Sequence, residues 1–262
     1  MTLTLTPLPG IPLIQPGDDL GSIILAALER ANISLQDGDI LVAAQKIVSK
    51  AEGRMVSLAG VEPSPTALAI AARSEKDARL VELILGESRE VLRVRPGTIV
   101  VEHRLGFVCA NAGIDHSNVP PSAWSSSLPA ARPEECMLLL PENPDRSAEL
   151  LCSQLEHASG RRLGVLIIDS HGRAWRLGTV GVAIGMSGLP GLVDLRGTPD
   201  LFGFRLRITQ VGAADELAAA ASLVMGQAAE GTPVVHVRGF PYALRQGGLG
   251  ELLRPREMDM FR

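Results

Sequence analysis

Apolar and polar residues alternate in TLTLTPL, residues 2–8, and a period of two predicts a strand that the following Pro/Gly cluster ends. The spacing then becomes helical. LGSIILAALERA (20–31) repeats apolar residues three and four apart, with Asp18 or Asp19 as cap and Ile23 and Ala27 on the buried face. Asp37-Gly38-Asp39 predicts a turn into the strand ILVAA (40–44), with QKIVSKAEGR as its basic continuation. Ser64-Pro65 opens a helix whose pattern runs to Gly86, with Ser as cap and Pro in the first turn. TIVVEHRLGFVCANAGID predicts two strands joined at Leu105-Gly106, then a polar loop from Asn111 to Asn118. Residues 120–135, rich in Pro, Ser and Ala, read as a surface excursion.

The second half continues with a helix over 147–158, capped by Ser147 and ended by Gly160, and the strand LGVLIID (163–169). A glycine-rich stretch (178–191) follows, then a strand FRLRIT (204–209). An Ala-rich helix stops at Gly231, before the strand PVVHVRG. Helices and strands interleave without a regular βαβ rhythm. The expected class is therefore α+β, with mixed and antiparallel sheets and flanking helices, rather than a doubly wound sheet.

Composition narrows the function. The chain has 262 residues, 25 Lys+Arg against 29 Asp+Glu and a net charge of −4, which excludes a basic nucleic-acid binder. No apolar run reaches the roughly 18 residues of a membrane span, and the N-terminus lacks the pattern of a signal peptide. Cys109, Cys136 and Cys152 are odd in number and form no CxxC pair, so neither a disulfide framework nor a structural zinc site is expected. A reducing, cytoplasmic setting follows as the expectation. Aromatic residues are only 3%, which leaves recognition to backbone, carboxylates and cations.

Neither phosphate-loop pattern, GxxxxGK[ST] or strand-borne GxGxxG, occurs, so candidate chemistry rests on four other clusters. In the first, the LPGIPLI loop accompanies QKIVSK, where Lys46 and Lys50 can meet phosphate oxygens and Gln45 adds amide donors; a solvated strand end is the plainer alternative. In NAGIDHSN, Asp115 and Asn118 offer hard oxygen ligands for magnesium or manganese, or else form an Asx turn. IIDSHGR ends an apolar strand on Asp169 and Ser170, within reach of a metal, with Arg173 and Arg176 beyond as anion clamps. A catalytic triad of Asp169, Ser170 and His171 is rejected, because neighbours on an extended chain point to opposite sides. In LVMGQAAEGTP, Gly226 and Gly231 allow close approach of a ligand or simply cap the helix. Together the clusters suggest metal-assisted phosphoryl transfer or ligation.

At these clusters the sequence resembles the coenzyme F420-0:gamma-glutamyl ligase (CofE) family, the amide ligases of deazaflavin cofactor biosynthesis. The likeness runs in order through GIPLI-x-PGDDL (10–20), DGDILV-x-x-QKIVSKAEGR (37–54), ESREVLR (87–93), NAGIDHSNV (111–119) and LLLPENPDRSAE (138–149). It continues through 164–185, 194–206 and 214–239.

The resemblance implies a GTP-dependent ligase that adds L-glutamate to the lactyl phosphate-linked carboxylate of a deazaflavin precursor and extends a gamma-linked tail. It places nucleotide contacts on Ile11, Pro12, Leu13, Ile14, Gln45, Lys46, Lys50 and Asn118. Further contacts fall on Met225, Gly226, Gln227, Ala228, Ala229, Glu230, Gly231 and Thr232. Asp115, Asp169 and Ser170 become ligands of a Mg2+ or Mn2+ pair, with K+ as a further candidate cation. Lys46, Lys50 and Asp169 take the catalytic roles, through an acyl phosphate. The resemblance also implies a CofE-like fold in an intertwined homodimer, one domain over 1–262 with room for an embedded subdomain, and no fused C-terminal flavin domain. Gln227 stands where some relatives carry an acidic, metal-associated residue. Two other readings stay open: the same scaffold acting on a different carboxylate acceptor, and a non-catalytic nucleotide-binding homologue.

Overall fold

A computed structural model describes residues 2–118 and 136–259. The chain begins with β1 (Thr4–Pro7), α1 (Leu20–Arg30), β2 (Ile40–Ala44), α2 (Gln45–Ala51) and β3 (Met55–Ser57). Next come α3 (Pro65–Ser74), α4 (Ala78–Gly86), β4 (Ser88–Arg95), β5 (Thr98–His103), β6 (Val108–Ala110) and β7 (Cys136–Leu138). The remainder is α5 (Pro144–Ser159), β8 (Gly164–Arg173), β9 (Arg176–Ser187), β10 (Val193–Asp194), β11 (Gln210–Val211), α6 (Ala213–Met225) and β12 (Val234–Arg238). The class is α+β, with mixed and antiparallel sheets flanked by helices.

The central sheet has the order β1-β12-β2-β8-β9, in which only β2 and β8 run parallel. Both strands of that pair are covered on two faces, so they read as unbroken apolar runs rather than alternations. On one face Leu41, Ala43, Val165 and Ile167 pack against Ile24 and Leu28 of α1, Val48 of α2 and Leu151 and Leu155 of α5. On the other, Val42, Leu166 and Ile168 meet Leu217, Ala218 and Ala221 of α6. A third cluster joins α3 and α4 to the sheet β4-β5-β6 through Ile70, Val81, Ile84, Ile99 and Val101. Asp39 ties β12 to the turn before β2: Arg238 and the His236 ring meet its carboxylate at 2.7–2.9 Å. Burial opposes that charge, yet the two partners hold its pKa below the usual carboxylate value.

Several expected elements differ. QKIVSK is a helix, α2, which follows β2 directly at Ala44 and sets Gln45 above Ser49 and Lys46 above Lys50. The predicted long helix to Gly86 breaks at Glu75, whose left-handed backbone (φ 55°) ends α3, and Asp77 caps α4 anew. Helix α5 starts at Asn143-Pro144, the stronger cap signal, ahead of Ser147. Its C-terminal stop at Gly160 is as expected.

The glycine-rich stretch is strand β9. A bulge at Ile184 shifts its register, so Gly181 faces α6 and Gly185 faces α5; added Cβ atoms would lie 2.5 Å from the Ala218 carbonyl and 2.4 Å from Pro144. FRLRIT forms only an isolated bridge from Arg205 to Pro199, and its Phe204 and Ile208 side chains face solvent instead of a core. Helix α6 ends at Met225, with Gly226 rather than Gly231 as its cap. The stretch 120–135 lies outside the described residues.

Candidate functional site

In a parallel pair the carboxyl ends of both strands open on the same edge, where following segments can diverge and leave a crevice. Here β2 delivers Gln45 and Lys46 to that edge, and β8 delivers Asp169 and Ser170, with Ala44 and Ile168 in register just before them. Asp115 arrives from elsewhere in the chain. Buried Ala112, held at φ 53°, turns the segment, and two backbone hydrogen bonds with Leu138 pin Asp115 to β7.

The side chains then converge. Gln45, almost wholly buried, donates Nε2–H to Asp115 Oδ2 at 2.7 Å and accepts from Ser49 Oγ at 2.8 Å. Lys46 Nζ lies 3.3 Å from Asp115 Oδ1 and donates to the carbonyl and hydroxyl oxygens of Ser117. Lys50 Nζ donates to the Asn118 carbonyl at 2.7 Å, and Asn118 Nδ2 donates to the Ala228 carbonyl at 3.0 Å. Asn118 adopts φ 57°, a left-handed conformation that Asn tolerates better than most residues. These contacts join α2, the 111–118 loop and the turn after α6.

Burial governs the electrostatics of the place, working against both the carboxylates and the lysines. Burial pushes the Asp115 carboxyl up and the Asp169 charge adds to this, while Lys46 and Gln45 oppose it. Lys50 is pushed down by burial and by Lys46, with Asp115 working the other way. Asp169 Oδ2 has a close partner, His171 Nε2 at 3.0 Å, two residues on and on the same face of β8. Ser170 points to the other face, where its hydroxyl donates to Gln227 Oε1 at 2.8 Å; Gln227 Nε2 in turn donates to Ser222 Oγ. The strand geometry that separates Asp169 from Ser170 also keeps a triad from forming.

Other expected residues lie around this centre. Ile14 is buried against Ile47 and Val48 of α2 and Ile11 is half-buried there, whereas Pro12 and Leu13 are exposed. After Gly226 the Ala228 N–H donates to Glu230 Oε2, and Thr232 Oγ1 donates to the Met225 carbonyl, which folds 225–232 into a tight turn. Ala229 and Gly231 lie exposed within it. Arg173 and Arg176 pair at the far tip of the β8–β9 hairpin, four and seven residues past Asp169. His116 is exposed. The free cysteines are buried, and burial pushes the Cys109 thiol to about 12.

Sequence reasoning missed three contributors. His171 was readable from its i,i+2 spacing to Asp169 on a strand; Ser117 and Ser222 carried no signal, since their partners lie 71 and 5 residues away across turns. Among the described residues no group of three or more His, Cys, Asp and Glu forms a metal cluster. The candidate donors Asp115, Asp169, Ser170 and Gln227 are all oxygens, a set that suits magnesium or manganese and not zinc.

Comparison with known proteins gives a consistent picture. The family model for F420-0:Gamma-glutamyl ligase matches residues 10–239. A Coenzyme F420:L-glutamate ligase of Methanothermobacter thermautotrophicus is 52% identical, covering all of both chains. Proteins of the same name from Methanopyrus kandleri and Archaeoglobus fulgidus are 48% and 41% identical over all of this chain and 98% and 97% of theirs.

Proposed function

This chain belongs to the F420-0:gamma-glutamyl ligase family and is a ligase, and from that premise we propose that it joins L-glutamate to coenzyme F420-0, with GTP activating the acceptor carboxylate, and extends a gamma-linked tail. The observation that carries this reading is the meeting of Lys46, Lys50, Asp115, Asn118, Asp169 and the 225–232 turn at the carboxyl edge of β2 and β8.

In the proposed reaction a carboxylate oxygen of the acceptor attacks the γ-phosphorus of GTP, GDP leaves, and an acyl phosphate forms. The glutamate amine attacks the acyl carbon, phosphate departs with the C–O bonding pair, and the amine proton passes to solvent. Lys46 and Lys50 hold the phosphate oxygens and offset charge that grows as the carboxylate approaches. Gln45 and Asn118 orient the rim, and His171 fixes the Asp169 carboxylate. A bound divalent cation would lower the repulsion between triphosphate and carboxylate. Asp115 and Asp169 would hold one such ion, because the two carboxylates are close enough to feel each other's charge and both offer hard oxygens. Ser170 and Gln227 supply neutral oxygens for a second on the other face of β8.

Trp175 and Leu177 at the hairpin tip and Leu201, Phe202 and Ile208 in the 195–210 segment are large apolar side chains left almost fully exposed. We read them as covered in a homodimer, which analytical ultracentrifugation would register as twice the chain mass.

The test is incubation of the protein with the deazaflavin acceptor, L-glutamate, GTP and Mn2+ or Mg2+, followed by mass spectrometry. Glutamylated acceptor with GDP is the expected result. GTP bound in a metal-dependent way without product points to a different acceptor, and absence of GTP binding overturns the reading.

A further inference from the structure

Beyond the last turn of α2, a cavity of about 160 Å³ is lined by Arg54, Glu87, His103, Arg104, Leu105 and Glu142. It has room for about five waters, the scale of a small metabolite. Glu87 opens the ESREVLR stretch and Glu142 lies in LLLPENPDRSAE, two segments to which the site above gives no task.

The cavity has more donors than acceptors. His103 is buried, and its Nδ1 accepts the Leu105 N–H at 3.0 Å, so the neutral ring carries its proton on Nε2. That Nε2 has no hydrogen-bond partner, alone among buried side-chain nitrogens and oxygens of the described residues. Glu87 Oε2 lies 3.8 Å from it, too far to accept. Arg104, half exposed, reaches Glu87 only at 3.6 Å and the Gly86 carbonyl at 3.5 Å, so most of its N–H groups remain available. Arg54 spends Nε–H on the Leu140 carbonyl and one Nη2–H on Glu87. Glu87 is the one acid shared among these donors. Glu142 is exposed at the rim.

A buried N–H beside the loosely held Arg104 guanidinium fits a carboxylate, and an exposed acid at the mouth fits an ammonium. Two ring contacts link the cavity to the carboxyl edge of β2 and β8. His103 stacks on Phe107 at 5.2 Å, Phe107 tilts onto His171 at 5.3 Å, and His171 holds Asp169. Resting on the function proposed above, we propose that this cavity is the subsite for the acidic amino acid: His103 Nε2 and Arg104 receive its side-chain carboxylate, and Glu142 faces its amino group. This makes Arg104 a specificity residue. An amide in place of the carboxylate would lose the charge-assisted bonds and leave the cavity's donors poorly matched.

Steady-state kinetics of the full chain, with glutamate, acceptor and GTP varied in turn, test the assignment, together with equilibrium dialysis of labelled L-glutamate. Arg104→Gln is expected to raise KM for L-glutamate about tenfold or more, to leave the KM values for GTP and acceptor unchanged, and to narrow discrimination against L-glutamine. Glu142→Gln shifts the glutamate KM in the same direction by less. An unchanged glutamate KM in both variants, or a shift in the acceptor KM instead, overturns the cavity assignment while leaving the ligase reading in place. If the wild-type protein turns over no acceptor, the ligase reading fails on its own, and dialysis decides the cavity: glutamate binding lost in Arg104→Gln supports it, equal binding overturns it.

Discussion

At the first turn of α2, Gln45 and Lys46 give both oxygens of Asp115 a partner, and one turn on Lys50 is engaged by Asn118. Just past the last turn, Arg54, Glu87 and Arg104 surround an imidazole N–H that has none. A seven-residue helix thus separates a saturated polar cluster from an unsaturated one. The difference bears on what each end does when a ligand arrives. A cation at Asp115 would share that carboxylate with the Lys46 ammonium, so binding there adjusts contacts that folding has already made. An anion beside His103 fills a bond that folding left open, so little is given up except water.

The largest effect should come from breaking the saturated end at its charges. Asp169→Asn or Asp115→Asn is expected to lower kcat by about 10²-fold or more, with an unaltered circular dichroism spectrum; near-normal turnover would remove that residue from the site. Gln45→Leu strips Asp115 and Ser49 of a buried partner and should cost about 1–3 kcal/mol of stability, read by urea denaturation. A Mn2+ titration sharpens the contrast further, because an ion held by a folded site stabilises the folded chain. It should raise the wild-type Tm by several degrees and leave Asp115→Asn unmoved.

The effect at the unsaturated end appears only in acid. Burial, helped by Arg104, His171, Arg54 and Arg89, lowers the His103 pKa from 6.5 to about 4. Between those values the unfolded chain takes up a proton that the folded chain refuses, so stability falls as pH drops from 6.5 toward 4. His103→Asn keeps an acceptor for the Leu105 N–H and removes the titration. Its stability curve should be flatter than the wild type's over that interval, by chemical denaturation at several pH values.

Much of this organisation was legible in the sequence where one local rule dominated. Strand β2, the caps at Asp19 and Ser64, the Gly160 stop and strand β12 all follow from period, cap and turn chemistry. Reading failed where distant packing decided. The glycine-rich stretch that became β9 showed no element in the sequence, because the task of its glycines, admitting Pro144 from one side and Ala218 from the other, belongs to two helices remote in the chain. FRLRIT looked like a strand because its pattern carries no record that its apolar side chains meet no core. At the candidate site the residue types were legible, and the pairings were not. The Gln45–Asp115 bond spans 70 residues and the Asn118–Ala228 bond 110, and no spacing rule reaches that far.

The sheet order carries a consequence for how the protein is made. Strand β12 lies between β1 and β2, so the first strand off the ribosome has no neighbour until residues 234–238 emerge. At about 5–20 residues per second, that interval is on the order of ten seconds or more. The turn at 225–232, which closes over Asn118 and Ser170, emerges just before it. A nascent chain therefore carries its lysines and aspartates long before the candidate site is assembled, and a chain truncated ahead of β12 would leave β1 and one side of β2 open to pair with other chains.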